Sequence, residues 1–158
     1  MAPAELYNKP GHLIRRCHQI SVALFLEYCT ELDLTPVQYA MLKATEAKPG
    51  ADQITLAGLA AIDRSNAARL SAVLEERGLL RRVADPNDRR ARRLSLTAEG
   101  QALLRRAEAA VQRVQRELLA PLKPEERRSF VAALQKIADA HNESSRAPLR
   151  LSNAKEAA

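Results

Sequence analysis

The sequence contains no tryptophan, and aromatic residues make up only 3% of it. Proteins that bind single-stranded nucleic acid stack bases on aromatic side chains, so this scarcity argues against that function. The two cysteines lack the spacing of metal ligands, which argues against a disulfide scaffold and a zinc finger. The chain has no run of 18 apolar residues and no N-terminal signal pattern, and we therefore expect a cytoplasmic protein that enters no membrane.

Signatures of catalysis are missing as well. There is no glycine-rich phosphate loop, and the histidine, cysteine and acidic residues form no nucleophile and base pattern. A metal site built from His12, Cys17, His18 and His141 is disfavoured. His12 and Cys17 are five residues apart, and the adjacent Cys17 and His18 face different sides of a helix. We expect no enzymatic activity, no cofactor and no bound metal.

Positive charge, by contrast, is abundant and concentrated in one segment. The 158 residues carry a formal net charge of +6, and residues 64–93, with nine arginines and four acidic residues, account for +5 of it. A patch of this kind attracts the phosphates of DNA. The alternative is a helical protein-interaction module whose basic segment only confers solubility.

Two short helices are predicted around the start of this segment. The first begins at Thr55, a good N-cap residue, and its apolar positions recur at helical spacing: Leu56, Leu59 and Ala60 or Ile62. The second covers residues 64–77, is capped by Asp63 or Ser65, and ends at Gly78, where a left-handed residue is favoured. Its buried stripe is predicted to be Leu70, Val73 and Leu74.

The second helix carries a polar cluster at its N-terminal end, on the side opposite the buried stripe. A recognition helix reads base edges with residues in that position, because that end enters the major groove. An ordinary solvated helix face is the alternative interpretation. The cluster consists of Arg64, Ser65, Asn66 and Arg69.

A hairpin is predicted to follow. Residues 79–83 and 92–96 have apolar side chains at alternate positions, and residues 84–91 between them are rich in turn formers. Two arginines near the tip, Arg89 and Arg90, have the reach to enter a narrow minor groove. Asp88 beside them is expected to orient an arginine side chain through a charge-assisted hydrogen bond.

The hairpin resembles the wing of the MarR family of bacterial transcription regulators. The resemblance rests on residues 85–90 (DPNDRR) and 94–100 (LSLTAEG), with residues 74–80 (LEERGLL) and 34–39 (LTPVQY) as further landmarks. It implies a mainly α protein with a small two-stranded β wing, that is, a winged helix-turn-helix. It further implies a dimer, usually a repressor that a small ligand or oxidation releases from DNA, with the family's wing motif at Asp88 and Arg90.

Long amphipathic helices flank the predicted DNA-binding lobe, residues 33–100. We expect helices over residues 10–32, 97–119 and 124–141, and one that begins at the capping box of Thr35, with Val37, Ala40, Met41 and Ala44 facing inward. Their apolar surface exceeds what one lobe can cover. Residues 10–32 and 101–141 are therefore predicted to build a homodimer over a palindromic operator. Residues 48–52 are read as a loop, residues 1–9 as mobile and the tail, 142–158, as disordered.

An effector site is predicted near the polar start of the first long helix. His12, Arg15, Arg16 and Gln19, together with Tyr39, are suited to ring a small aromatic acid, with a cation pairing its carboxylate. Surface charges at a dimer interface are the alternative. Residues 10–19 (PGHLIRRCHQ) also resemble regulators of nicotinate catabolism that hydroxynicotinate releases, so 6-hydroxynicotinate is a candidate effector.

Peroxide sensing is the competing sensing mode. Cys17 with Tyr28 and Tyr39 resembles the peroxide-sensing branch of the family, yet it lies about two helical turns too close to the LTPVQY landmark. We therefore expect Cys17 and Cys29 to be buried structural cysteines.

Overall fold

The computed structural model describes residues 3–85 and 92–151, with side chains from residue 5 onward. It is mainly helical, with one small antiparallel sheet. The helices are α1 (Pro3–Tyr7), α2 (Pro10–Tyr28), α3 (Pro36–Ala47), α4 (Gln53–Leu59), α5 (Arg64–Glu76), α6 (Ala98–Leu119) and α7 (Pro124–Ala140). The strands are β1 (Ala51–Asp52), β2 (Leu80–Ala84) and β3 (Arg92–Leu96).

Local capping signals set the starts of the helices. Thr35 and Gln38 form the predicted capping box of α3, and Thr97 caps α6 by accepting a hydrogen bond from the Gly100 amide at 3.0 Å. The predicted start of α4 at Thr55 is wrong. Asp52 accepts the amides of Ile54 and Thr55 at 2.9 and 3.0 Å, so the helix begins at Gln53 and the Thr55 hydroxyl donates to Asp52 instead.

The wing has a third strand. β3 pairs with β2, as predicted, and also with β1, in the order β1-β3-β2. The prediction of a loop over residues 48–52 is therefore wrong for Ala51 and Asp52. Gly50 has a φ of +75°, and its amide donates to the Leu94 carbonyl at 2.9 Å, which directs the chain into β1.

The core lies between the sheet and α2 to α6. Leu56, Leu74 and Leu94 are completely buried and join α4, α5 and β3. Two predicted inward residues, Val37 and Val73, are instead 48% and 37% exposed. The buried positions of α3 and α5 that the prediction missed are Leu42, Thr45, Ala67 and Ser71.

The first long helix ends earlier than predicted. α2 stops at Tyr28, and a 3₁₀ turn (Thr30–Leu32) follows before Asp33 adopts a left-handed conformation with φ of 47°. α2 packs against α6, where the Arg113 guanidinium lies 4.3 Å from the centre of the Tyr28 ring. Cys29 is buried as predicted, but Cys17 is exposed in the single chain, so that prediction is wrong for Cys17.

Both ends of the chain contain more structure than we predicted. Residues 3–7 form α1, and the Tyr7 ring contacts His12 edge to face at 5.8 Å. After α7 comes a 3₁₀ turn (Asn142–Ser144), and the amide of Arg150 donates to the Gly58 carbonyl at 2.9 Å. The expectation of a disordered tail is thus wrong for residues 142–151, while residues 152–158 lie outside the described residues.

Candidate nucleic-acid interface

A tight turn connects α4 to α5 and fixes the angle between them. Ala61 has a φ of 50°, in the left-handed region, and the Ile62 amide donates to the Ala57 carbonyl at 2.9 Å. The two helices and this turn form the predicted helix-turn-helix. The turn also delivers Asp63, the residue before α5, to the helix N-terminus.

Asp63 organises the polar cluster at the start of α5. One carboxylate oxygen accepts hydrogen bonds from the Asn66 amide at 3.1 Å and from the Ser65 hydroxyl at 2.7 Å. The second oxygen accepts a hydrogen bond from the Asn66 side chain at 2.5 Å. Arg69 in turn donates to the Asn66 side-chain oxygen at 3.3 Å. Of the two possible caps, Asp63 is the one observed. The structure brings Ser65, Asn66 and Arg69 together, and all three, like Arg64, are exposed.

These hydrogen bonds stabilise the ionised carboxylate of Asp63. The Asn66 amide, then the Ser65 hydroxyl and the Asn66 side chain, lower the pKa of Asp63 to about 2, and the positive charge of Arg146 adds to this. A carboxylate that stays ionised is a permanent acceptor. Asp63 therefore orients the Asn66 side chain, which accepts a hydrogen bond from Arg69, in the absence of DNA.

The depressed pKa of Asp63 predicts a specific acid sensitivity. Because the folded-state pKa of about 2 lies below the ordinary value of 3.8, the stabilisation from ionised Asp63 is complete above about pH 5 and is lost progressively as the pH falls through 3.8 and then through about 2. Asparagine also caps helices but does not titrate. In urea titrations at pH 4.5 and pH 2.5, Asp63→Asn should lose less unfolding free energy than the parent. Equal losses would contradict this assignment.

Acidic side chains bind arginines of the wing, among them Arg82 and Arg93. Arg82 of β2 donates to Glu75 of α5 at 2.7 Å, which ties the wing to the recognition helix. Arg93 of β3 donates to Asp85 at 2.6 Å. Asp85 thus orients an arginine of the wing, a contact that the sequence pattern did not indicate. Three residues predicted to contact DNA, Asp88, Arg89 and Arg90, lie outside the described residues.

A cleft with a volume of about 930 Å³ opens beside the recognition helix. Its walls come from α2, α3, the turn before α5, α5 itself and the chain after α7. Asn66 and Arg69 line it together with His18 of α2 and Arg146. The same two α5 side chains therefore belong both to the predicted base-reading cluster and to the wall of a cavity.

The residues predicted for an effector lie elsewhere in the single chain. Arg15 donates to Gln19 at 3.0 Å and approaches His12 at 3.5 Å, so these three form one cluster on α2. Arg16 lies on the same part of α2, 5.9 Å from the centre of the Tyr7 ring. None of these four side chains lines the cleft.

Tyr39, the fifth predicted effector residue, is separated from that cluster. Its ring packs against Phe25 in the core at 6.0 Å, and burial, with the negative charge of Glu108, raises its pKa. Tyr39 does not line the cleft either. Sequence reasoning missed Arg146, which only the folded chain brings there, and left His18 out of the effector set.

The fold and its polar surface define a class of protein. A helix-turn-helix followed by an antiparallel hairpin rich in arginine is a winged helix DNA-binding domain. The chain belongs to the MarR family of transcriptional regulators and is not an enzyme. The family model matches residues 34–91. The transcriptional regulator HosA of Escherichia coli O111:H- is 36% identical over 135 residues, which is 85% of this chain and 98% of HosA.

Solved structures agree with this assignment. The PcaV regulator of Streptomyces coelicolor in complex with its natural ligand is 38% identical, with a TM-score of 0.78 over 89% of this chain and 99% of PcaV. BpsR of Bordetella bronchiseptica, whose DNA binding is regulated by 6-hydroxynicotinic acid, is 30% identical, with a TM-score of 0.79 over 84% of this chain and 94% of BpsR. Both matches cover more than four fifths of this chain.

In the described part of the chain, no helix combines the length and apolarity that crossing a bilayer requires. Within the same residues, no cluster of three or more histidine, cysteine and acidic side chains is placed to hold a metal ion.

Proposed function

We propose that this regulator is a dimeric repressor of a palindromic operator, released by a small aromatic carboxylate such as 6-hydroxynicotinate. One observation carries the proposal. Asn66 and Arg69 line the cleft and also lie in the cluster that would face the major groove. An occupant of the cleft therefore changes the position or the charge of side chains that DNA requires. The protein would act in the cytoplasm, in contact with chromosomal DNA.

The DNA contacts divide into two kinds. Arg64, Ser65, Asn66 and Arg69, at the N-terminal end of α5, would read base edges and neighbouring phosphates in the major groove. The hairpin tip would contact the minor groove and its phosphates through Asp88, Arg89 and Arg90, as the family resemblance implies. The ion pair between Arg82 and Glu75 links the wing to α5.

Dimerisation is supported by apolar surface that the single chain leaves uncovered. Leu13, Ile14 and Ile20 of α2 are each nearly half exposed, and α7 carries a second exposed apolar stripe: Val131, Leu134 and Ile137. Exposed apolar surface on this scale is typical of protein interfaces. A symmetric dimer would separate two α5 helices by roughly 34 Å, one turn of DNA.

The predicted effector residues on α2 are retained as a second candidate position for the acid, outside the cleft. Arg15, already hydrogen-bonded to Gln19, offers a guanidinium to a carboxylate there, beside His12 and Arg16, whereas Tyr39, the fifth predicted residue, is separated from them in the single chain. The similarity to BpsR favours 6-hydroxynicotinate, since that acid regulates DNA binding by BpsR.

A second candidate effector is peroxide. Cys17 is exposed, so its thiol is accessible to an oxidant. Cys29 is buried, and burial raises the pKa of its thiol. If peroxide releases the parent protein from DNA, Cys17→Ser should abolish the response and Cys29→Ser should retain it.

Substitution of the α5 cluster tests the proposed base readout. Arg69→Ala and Asn66→Ala should each weaken operator binding by about 10-fold, corresponding to about 1–3 kcal/mol per base contact, and should relax preference at one position of each half-site. Arg116→Ala, on exposed α6 surface, is the control for the lost charge. Fluorescence anisotropy with single-base operator variants measures both effects. Unchanged base preference in Arg69→Ala and Asn66→Ala would remove α5 from base recognition.

A further inference from the structure

The chain after α7 folds back onto the DNA-binding lobe. We call residues 142–151 the C-terminal strap. The Asn142 side chain accepts the Leu149 amide at 2.8 Å and donates to the Leu149 carbonyl at 3.2 Å, which closes the strap into a loop. Arg150 forms a two-pronged ion pair with Glu143, its second bond measuring 2.8 Å. These contacts give the strap a defined shape.

Gly58 of α4 is the docking point of the strap. The Arg150 amide donates to the Gly58 carbonyl at 2.9 Å, and a Cβ at position 58 would lie 2.9 Å from the Arg150 Cβ. Real Cβ atoms do not approach that closely. The strap therefore fits against α4 only because residue 58 has no side chain.

Docking against α4 places the strap beside the cleft next to α5, which we call the effector cleft. Ser145, Arg146 and Ala147 line the cleft across from α3, and Arg146 is close enough to Asp63 to act on its charge. The other cation in the cleft is Arg69, which also donates to Asn66. Arg146 is exposed, so its guanidinium can turn towards an anion in the cleft.

We propose that the strap is a wall of the effector cleft and that Arg146 binds the carboxylate of the effector. The inference rests on the proposed function of a carboxylate-responsive regulator. A guanidinium recognises a carboxylate through two parallel hydrogen bonds, and the exposed Arg146 side chain is free to turn over a ligand in the cleft. The strap contacts α4 and the turn before α5. A movement of the strap on ligand binding would therefore be passed directly to the start of the recognition helix, α5.

The test measures acid binding by the full chain. Isothermal titration with 6-hydroxynicotinate and with benzoate should show about 10-fold weaker binding to Arg146→Gln than to the parent, the loss expected for a hydrogen bond to a charged group. Arg116→Gln removes an equal charge from exposed α6 surface and should bind like the parent. Gly58→Ala should also weaken binding several-fold, since it displaces the strap but suits the interior of a helix.

Trypsin gives an independent measure of strap closure. Cleavage after Arg146 should slow when the acid is bound to the parent, whereas in Gly58→Ala it should be fast with and without the acid. If the parent binds an acid and Arg146→Gln binds it equally well, the strap inference is overturned and the proposed function stands. If the parent binds operator DNA but neither acid, the proposed carboxylate effector is wrong and the strap inference fails with it.

Discussion

Gly100→Ala should lower the free energy of unfolding by about 3 kcal/mol, the upper part of the range for an overpacked core. Gly100 is buried in the first turn of α6. A Cβ there would collide with the carbonyl oxygen of Leu79 and would lie 3.1 Å from its carbonyl carbon. Because the colliding atoms belong to the backbone, rotation of a side chain cannot relieve the clash.

The contact between α6 and Leu79 cannot widen without a further loss of stability. The Leu79 carbonyl accepts the Thr97 amide at 3.1 Å, and the Thr97 hydroxyl donates to the Gly78 carbonyl at 2.6 Å. Gly78 itself has a φ of +70°. Displacing α6 would therefore break the bonds that join the recognition helix, the wing and α6.

Urea denaturation of the parent and two alanine variants provides the measurement. Gly11→Ala is the control, since Gly11 lies in α2 and a Cβ there meets nothing within 4 Å. We expect the Gly11 variant to unfold like the parent or slightly later, because alanine favours a helix. A Gly100→Ala midpoint equal to that of the parent would show that α6 does not approach Leu79 this closely.

Leu134→Glu should abolish dimerisation and weaken operator binding by about 100-fold or more. Leu134 is 40% exposed at the centre of the apolar stripe on α7. A carboxylate buried there without a partner would oppose association. A monomer loses the second half-site as an intramolecular contact, and linked binding commonly accounts for a factor of about 10² to 10⁴ in affinity.

Ala132→Glu is the matched control, with the same change of charge on the opposite side of α7. Ala132 is exposed, and its position is turned about 160° from Leu134 at 100° per residue. Sedimentation equilibrium should report a dimer for the parent and the control, and a monomer for Leu134→Glu. A Leu134→Glu protein that remains dimeric would place the dimer interface away from α7.

Local signals in the sequence were enough to locate most helices. The capping box at Thr35, the glycine at position 78 and the cap at Thr97 each act over three or four residues, and the structure confirms all three. The members of the polar cluster on α5 followed from the helical period. Membership in the MarR family followed from the wing and its landmarks, and the comparisons confirm it.

Features that depend on residues far apart in the sequence could not be predicted from these local signals. β1 has only two residues and exists because Ala51 and Asp52 pair with β3. Val37 and Val73 satisfied the helical period, yet Leu42 and Ser71 face the core because neighbouring helices set the rotation. The strap has no apolar period, and its place depends on contacts with residues far away in the sequence, such as the hydrogen bond to Gly58.

The most direct test of the central claim is a binding titration on DNA from upstream of the protein's own gene. The titration is run at about 50 and about 200 mM salt, with and without nicotinate, 6-hydroxynicotinate, benzoate, salicylate and peroxide. We predict tight binding, a loss of about 10³ in affinity between the two salt concentrations, and release by an aromatic acid. Release by peroxide alone would assign sensing to Cys17. Weak binding whose affinity changes neither with salt nor with any effector would contradict the account and would favour a helical protein-interaction module.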